Sequence, residues 1–187
     1  MTDLEFIKDC LNRYKNSLFE TDVSEKMIKM KEVLLGVKNN GKKIIIAGNG
    51  GSAAMASHVA VDFTKQGGIR TINFNDADLI TCFANDYGYE FWVAKAIEFY
   101  GDEGDLLVLI SSSGSSKNIV NAAKAAKNLG MTVVTFTGFK VDNPLKQEGD
   151  LNFWLESRAY NIVENTHQIW LLIICDLIVG KVEYPAS

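Results

Sequence analysis

The stretch Lys43-Ile44-Ile45-Ile46-Ala47-Gly48-Asn49-Gly50-Gly51-Ser52-Ala53-Ala54 decides how this chain folds. Lys43–Ala47 is a short apolar run of the kind that fills a strand covered on both faces. Gly48 to Gly51 are turn residues, and from Ser52 to Lys65 apolar side chains return at helical spacing. A buried strand that turns through glycines straight into a helix is the first half of a βαβ unit. The pattern then recurs. Thr71–Phe74, Leu106–Ile110, Val133–Thr137 and Leu151–Leu155 are further short apolar runs flanked by turn residues. Helical-period segments separate them, predicted as Ala77–Ala84, Tyr89–Tyr100, Ser116–Leu129 and Ile162–Ile178. Strands alternating with helices predict an α/β fold, a doubly wound, flavodoxin-like sheet of five parallel strands. Ligands of such sheets sit outside the carboxyl ends of the strands.

Working back to the N-terminus, Leu4, Ile7, Leu11, Tyr14 and Leu18 form one helical stripe, and Met27, Met30, Val33, Leu34 and Val37 another. They predict two extra helices joined around Thr21-Asp22. With no repeat, no low-complexity tract and only two prolines, residues 1–187 read as a single domain: a helical pair over 1–40 and a sheet unit over 41–187. The last helix, with Tyr160, Trp170, Leu171, Leu172, Ile173 and Ile174, is apolar nearly all round and needs cover on several sides, which predicts an oligomer.

Composition narrows the function classes. A net charge of −4 argues against direct nucleic-acid partners and against binding to anionic membrane. The apolar run Ile169–Val179 is too short to span a bilayer and is interrupted by Asp176. Met1–Lys15 mixes acids and bases with no apolar segment, so no signal peptide is expected. Cys10, Cys82 and Cys175 lack metal spacing and read as reduced, mostly buried thiols of a cytoplasmic protein.

Two loops carry the chemistry. Ala47–Ser52 lies between a strand and a helix, where glycines let backbone approach an anion and the helix start offers unpaired amides. Ser111-Ser112-Ser113-Gly114-Ser115-Ser116 lies between another strand and helix, and sets a cluster of hydroxyls beside free helix-start amides. Neither is a Walker A motif or a dinucleotide fingerprint, so no nucleotide cofactor is expected. Either loop alone is explained by a tight turn or a flexible serine loop. Together, each directly after a buried strand, they favour a sugar phosphate as ligand.

Gly48-Asn49-Gly50-Gly51-Ser52-Ala53-Ala54, Ser111–Ser116 with Asn118, Asn85-Asp86-Tyr87-Gly88 and Thr137-Gly138 together resemble the sugar isomerase (SIS) family, in particular its phosphoheptose isomerase branch. The likeness runs from the N-terminal helices to Ile178. It implies the five-stranded sheet already read from the sequence, assembled as a homotetramer with active sites at subunit interfaces. It further implies that Ser52, Ser111, Ser112, Ser113 and Ser116, with Gly50 and Gly51, hold the phosphate, and that Asn49 and Asp86 hold sugar hydroxyls.

Ketose–aldose interconversion moves a proton between adjacent carbons, so it needs a base together with an acid or a metal. His58 and Asp62 are four apart on one helix; Glu164 and His167 are three apart on another. Either pair alone reads more simply as a structural hydrogen bond. Joined, they would make an acid/base site, or a zinc site from His58, Asp62 and Glu164. The resembled branch has histidine and glutamate six and ten residues beyond the loop serine, positions held here by His58 and Asp62. On the last helix it has glutamine or glutamate and, eight residues later, a histidine. Here those positions are Glu164 and Leu172. Leucine moves no protons. The leading expectation is therefore a phosphoheptose-type isomerase working through an enediol, with Asp62 as base and His167 as substitute acid if its helix presents it to the pocket. The alternatives are a non-catalytic binding module, of the kind known in the family to bind the replication initiator, and an isomerase of another sugar phosphate in surface-polysaccharide synthesis.

Overall fold

The computed structural model describes residues 1–184. Among these the strands are β1 (Ile44–Gly48), β2 (Thr71–Asn73), β3 (Leu106–Ser111), β4 (Thr132–Thr137) and β5 (Leu151–Trp154). All pair in parallel, in the order β2-β1-β3-β4-β5, which is the flavodoxin-like winding. The predicted runs find their strands within one or two residues at each end.

Every residue of β1 and β3 is buried, and alternate side chains enter two different cores. Ile44, Ile46, Leu106, Val108 and Ile110 meet helices α2 (Ser24–Asn39), α3 (Gly51–Lys65) and α8 (Tyr160–Val179) on one face. Ile45, Ala47, Leu107 and Leu109 meet α5 (Trp92–Tyr100) and α6 (Lys117–Asn128) on the other. Continuous apolar runs were the right signature because neither face of this sheet is left to water. The chain switches sides between β1 and β3, and both glycine- and serine-rich loops open at that switch point.

The two N-terminal helices form as expected, but differently. Met27, Met30, Leu34 and Val37 of α2 are buried in the core. The stripe of α1 (Asp3–Phe19) is not: Leu4, Ile7 and Leu11 are 61%, 54% and 63% exposed, and Ser17 is the residue of α1 that is buried. Tyr14 packs against the core and Leu18 is half-buried, but among the described residues nothing covers Leu4, Ile7 and Leu11. A short helix the sequence reading missed, α7 (Pro144–Glu148), has Asn143 as its side-chain cap and proline at its start. The cysteine expectation is corrected too: Cys175 is buried, Cys10 half-buried and Cys82 exposed on α4 (Ala77–Tyr87), all three free.

Helix α8 is long and apolar enough to cross a membrane by composition. It is a core helix here, packed against α3, α2 and α1, with Val163, Trp170, Leu171 and Ile174 buried.

Candidate active site

The β1–α3 and β3–α6 loops face each other across a cup of about 110 Å³ lined by Asn49, Ser52, Ser111, Ser112, Ser113, Ser116, Tyr160 and Glu164. Gly50 makes the turn at a φ of +56°, a backbone region that favours glycine. Neither helix start is closed by a side-chain cap; the Ser52 and Ala53 amides bond the Asn49 and Gly50 carbonyls, and the Gly51, Lys117 and Asn118 amides are the ones open to an anion. The Ser111 and Ser116 hydroxyls lie 3.5 Å apart. The buried hydroxyl of Ser112 has no partner, which in a folded protein points to a missing acceptor. No basic side chain is among the residues that line the cup, and the donors it offers are hydroxyls and helix-start amides. Ser115, by contrast, is exposed and turned away, its own amide bonded to the Ser113 hydroxyl.

Glu164 is the one carboxylate of the cup. It rests against Gly51 so closely that any larger residue at 51 would strike it. Partial burial holds its pKa above the ordinary glutamate value. Tyr160, one turn earlier on α8, lines the same cup. It was not among the site residues singled out from the sequence, although its i, i+4 relation to Glu164 was visible.

A second cavity of about 600 Å³ adjoins the cup and shares Asn49 and Ser116 with it. Tyr89, Glu90, Lys117 and Asn118 complete its wall. Asn49 is fixed by two amide bonds to Asn118, of 3.0 and 2.8 Å, and by the Tyr89 hydroxyl at 3.3 Å. Glu90 and Lys117 pair at 3.2 Å across its rim. Asp86 does not join Asn49 here. It sits exposed in the last turn of α4, its carboxylate bonded to the Asn85 amide and approached by the Cys82 thiol.

The expected catalytic set is only partly assembled. His58 Nε2 lies 3.2 Å from Asp62 Oδ2, and His58 Nδ1 lies 3.0 Å from the Gln168 amide nitrogen. Neither His58 nor Asp62 lines the cup within one chain. The substitute acid is corrected. His167 is fully buried, its ring between Phe136 and Trp170 and its Nε2 donating to the Thr137 carbonyl at 3.1 Å. Burial drives its pKa down to about 4, outweighing that bond, so it stays neutral and out of reach of any ligand. Residue 167 lies on the core side of α8, while 164 and 168 face α3. Leu172 is half-buried against the core.

No three His, Cys, Asp or Glu side chains gather into a metal-binding group among the described residues. His58 and Asp62 meet, but Glu164 stays at Gly51, about two turns of α3 away from His58. The zinc donors expected from the sequence do not fit a site within one chain.

Known proteins with this geometry agree on its kinship. The SIS domain family matches residues 6–138. A phosphoheptose isomerase of Fusobacterium nucleatum is 35% identical over 164 residues, covering 85% of this chain and 84% of that protein. One from Thermodesulfovibrio yellowstonii is 35% identical over 183 residues, covering 94% and 90%. The solved structure of a phosphoheptose isomerase from Francisella tularensis superposes with a TM-score of 0.90 at 26% identity, over 97% of this chain and all of that one. The winding of the sheet, the two loops at its switch point and these likenesses over nearly the full length place the chain in the SIS family, within its phosphoheptose isomerase branch.

Proposed function

We propose that the protein is a sugar-phosphate isomerase that interconverts the ketose and aldose forms of a phosphorylated heptose, of the sedoheptulose 7-phosphate type, through an enediol. The observation that carries this reading is the cup, phosphate-sized, ringed by hydroxyls at two open helix starts and holding an unpartnered buried hydroxyl at Ser112. The phosphate sits there, on Ser52, Ser111, Ser112, Ser113 and Ser116. The sugar chain leaves past Asn49, whose orientation the Asn118 and Tyr89 bonds maintain.

Asp62 is the base. It takes a proton from C1 of the ketose and returns it to C2, while the hydroxyl proton passes between O1 and O2. His58, hydrogen-bonded to it, fixes its carboxylate. Along α3, His58 and Asp62 lie about 9 and 15 Å beyond Ser52. A chain whose phosphate is in its own cup therefore meets the His58–Asp62 pair of a second subunit. The uncovered stripe of α1 and the exposed Ile169 and Ile173 of α8 support such an assembly, and a homotetramer satisfies it. Three free cysteines are in keeping with the cytoplasm as its compartment.

Proton NMR with sedoheptulose 7-phosphate in D₂O tests the reading, since enediol chemistry brings solvent deuterium onto carbon. Asp62→Asn should cut turnover by about 10²- to 10⁴-fold and leave phosphate binding within about twofold. Full activity in that variant would remove Asp62 from the mechanism.

A second reading, a sugar-phosphate-binding module without chemistry, draws on Leu172 and on the burial of His167, which leave the Gln168–Leu172 part of α8 without a proton carrier. Tight binding of the heptulose phosphate with no deuterium entering it would favour that reading.

A further inference from the structure

We propose that Gln168 is a positioning residue: its amide holds His58 as the neutral imidazole protonated on Nε2, which makes His58 a hydrogen-bond donor to Asp62 rather than a ligand for a metal. The inference rests on Asp62 being the base. Gln168 was not among the candidates read from the sequence, and it comes from a different helix.

The two contacts on the ring agree with each other. The Gln168 amide nitrogen, 3.0 Å from Nδ1, is a donor with nothing to accept, so Nδ1 must be the unprotonated nitrogen. The proton then rests on Nε2, which faces the Asp62 carboxylate at 3.2 Å, a group that only accepts. Each ring nitrogen is thereby engaged, the lone pair by Gln168 and the proton by Asp62, and none remains to bind a cation. The opposite amide orientation, oxygen toward Nδ1, would demand an imidazolium protonated at both nitrogens.

Placement on the helices explains why residue 168 can do this. Glu164, Gln168 and Leu172 recur every fourth residue and so form one stripe of α8 facing α3. The first reaches the cup at Gly51 and the second reaches His58. The third is apolar and half-buried. Where the resembled branch carries a histidine one turn farther along, this chain has an amide one turn nearer, acting on the partner of the base instead of on substrate. Holding an imidazole in one tautomer through its second nitrogen is how hydrogen-bonded neighbours generally orient a working histidine.

The test is nitrogen-15 NMR of histidine-labelled protein at pH 8, where only two imidazoles contribute and His58→Gln identifies the other as His167. In the wild type, His58 should show an unprotonated Nδ1 and a protonated Nε2 and should not shift with equimolar zinc chloride. Gln168→Leu should give an exchange-averaged mixture of tautomers. Gln168→Glu, which can only accept, should add a proton at Nδ1 and give a doubly protonated ring. With sedoheptulose 7-phosphate, Gln168→Leu should lower kcat by about 10- to 100-fold with KM within about twofold. A wild-type spectrum like that of Gln168→Leu, a doubly protonated ring in the wild type, a zinc-induced shift at His58, or an unchanged kcat in Gln168→Leu would each overturn the proposal. A locked tautomer in a protein that turns over no heptulose phosphate would instead remove the isomerase reading, and with it the part given to Gln168.

Discussion

Two histidines of one chain, 109 residues apart by number, end in opposite environments, and the difference decides what each can do. His58 is half-exposed and held by polar groups on both nitrogens. His167 is enclosed by rings, its Nδ1 without a partner and its Nε2 donating to the Thr137 carbonyl. A buried imidazole with a pKa near 4 contributes stability that is fully present above the unfolded value of 6.5 and is lost as pH falls toward 4. Between pH 7 and pH 5 the unfolded chain takes up a proton that the folded chain refuses, which removes about 2 kcal/mol. Urea unfolding at the two pH values should show this loss. It should shrink by about that amount in His167→Gln, whatever the variant does to stability at pH 7. The sequence offered no way to separate the two histidines, because each stands near a carboxylate at helical spacing. Which face of α8 turns inward depends on what packs against it.

At the scale of elements, the phosphate cup is only as rigid as its supports, and one support escaped the sequence reading. Helix α7 begins at Asn143, buried, whose side chain accepts from the Lys146 amide at 2.9 Å and donates to the Lys140 carbonyl at 2.8 Å and the Thr137 hydroxyl at 3.2 Å. The Leu145 amide then bonds the carbonyl of Gly114, in the middle of the serine loop. Asn143→Ala removes the cap and leaves the Lys146 amide and the Thr137 hydroxyl without this partner, which should cost about 2–3 kcal/mol. It should also weaken sugar-phosphate binding more than an equally destabilising change elsewhere, such as Leu34→Ala in α2. Thermal unfolding read beside calorimetric binding separates the two effects. An asparagine followed by proline is a recognisable helix start. At five residues, though, α7 has too little periodicity to stand out from a loop. The longer elements were legible because a parallel sheet covered on both faces imposes unbroken apolar strands and amphipathic helices between them.

The whole molecule leaves a helix unfinished. Ile7 and Leu11 stand on the exposed stripe of α1, so replacing both with glutamate disturbs no core within the chain. The double variant Ile7→Glu/Leu11→Glu should fold with nearly unchanged stability yet sediment as a smaller species than the wild type. If Asp62 meets the cup of another subunit, activity should fall together with association. A wild-type protein that sediments as a monomer at micromolar concentration would count against shared sites. The amino-acid sequence by itself determined the winding of the sheet, the two helices ahead of it, and the glycine- and serine-rich loops at its switch point. These follow from local rules: strand and helix periods, and glycines or serines at a strand-to-helix turn. Only the tertiary structure decided that His167 is walled in, that Asp86 stays apart from Asn49, that Glu164 parts from His58, and that Gln168 reaches the imidazole. These are relations between separate elements, α8 with β4 and α3, and α4 with the β1–α3 loop, and such pairing is set by packing that no local pattern records.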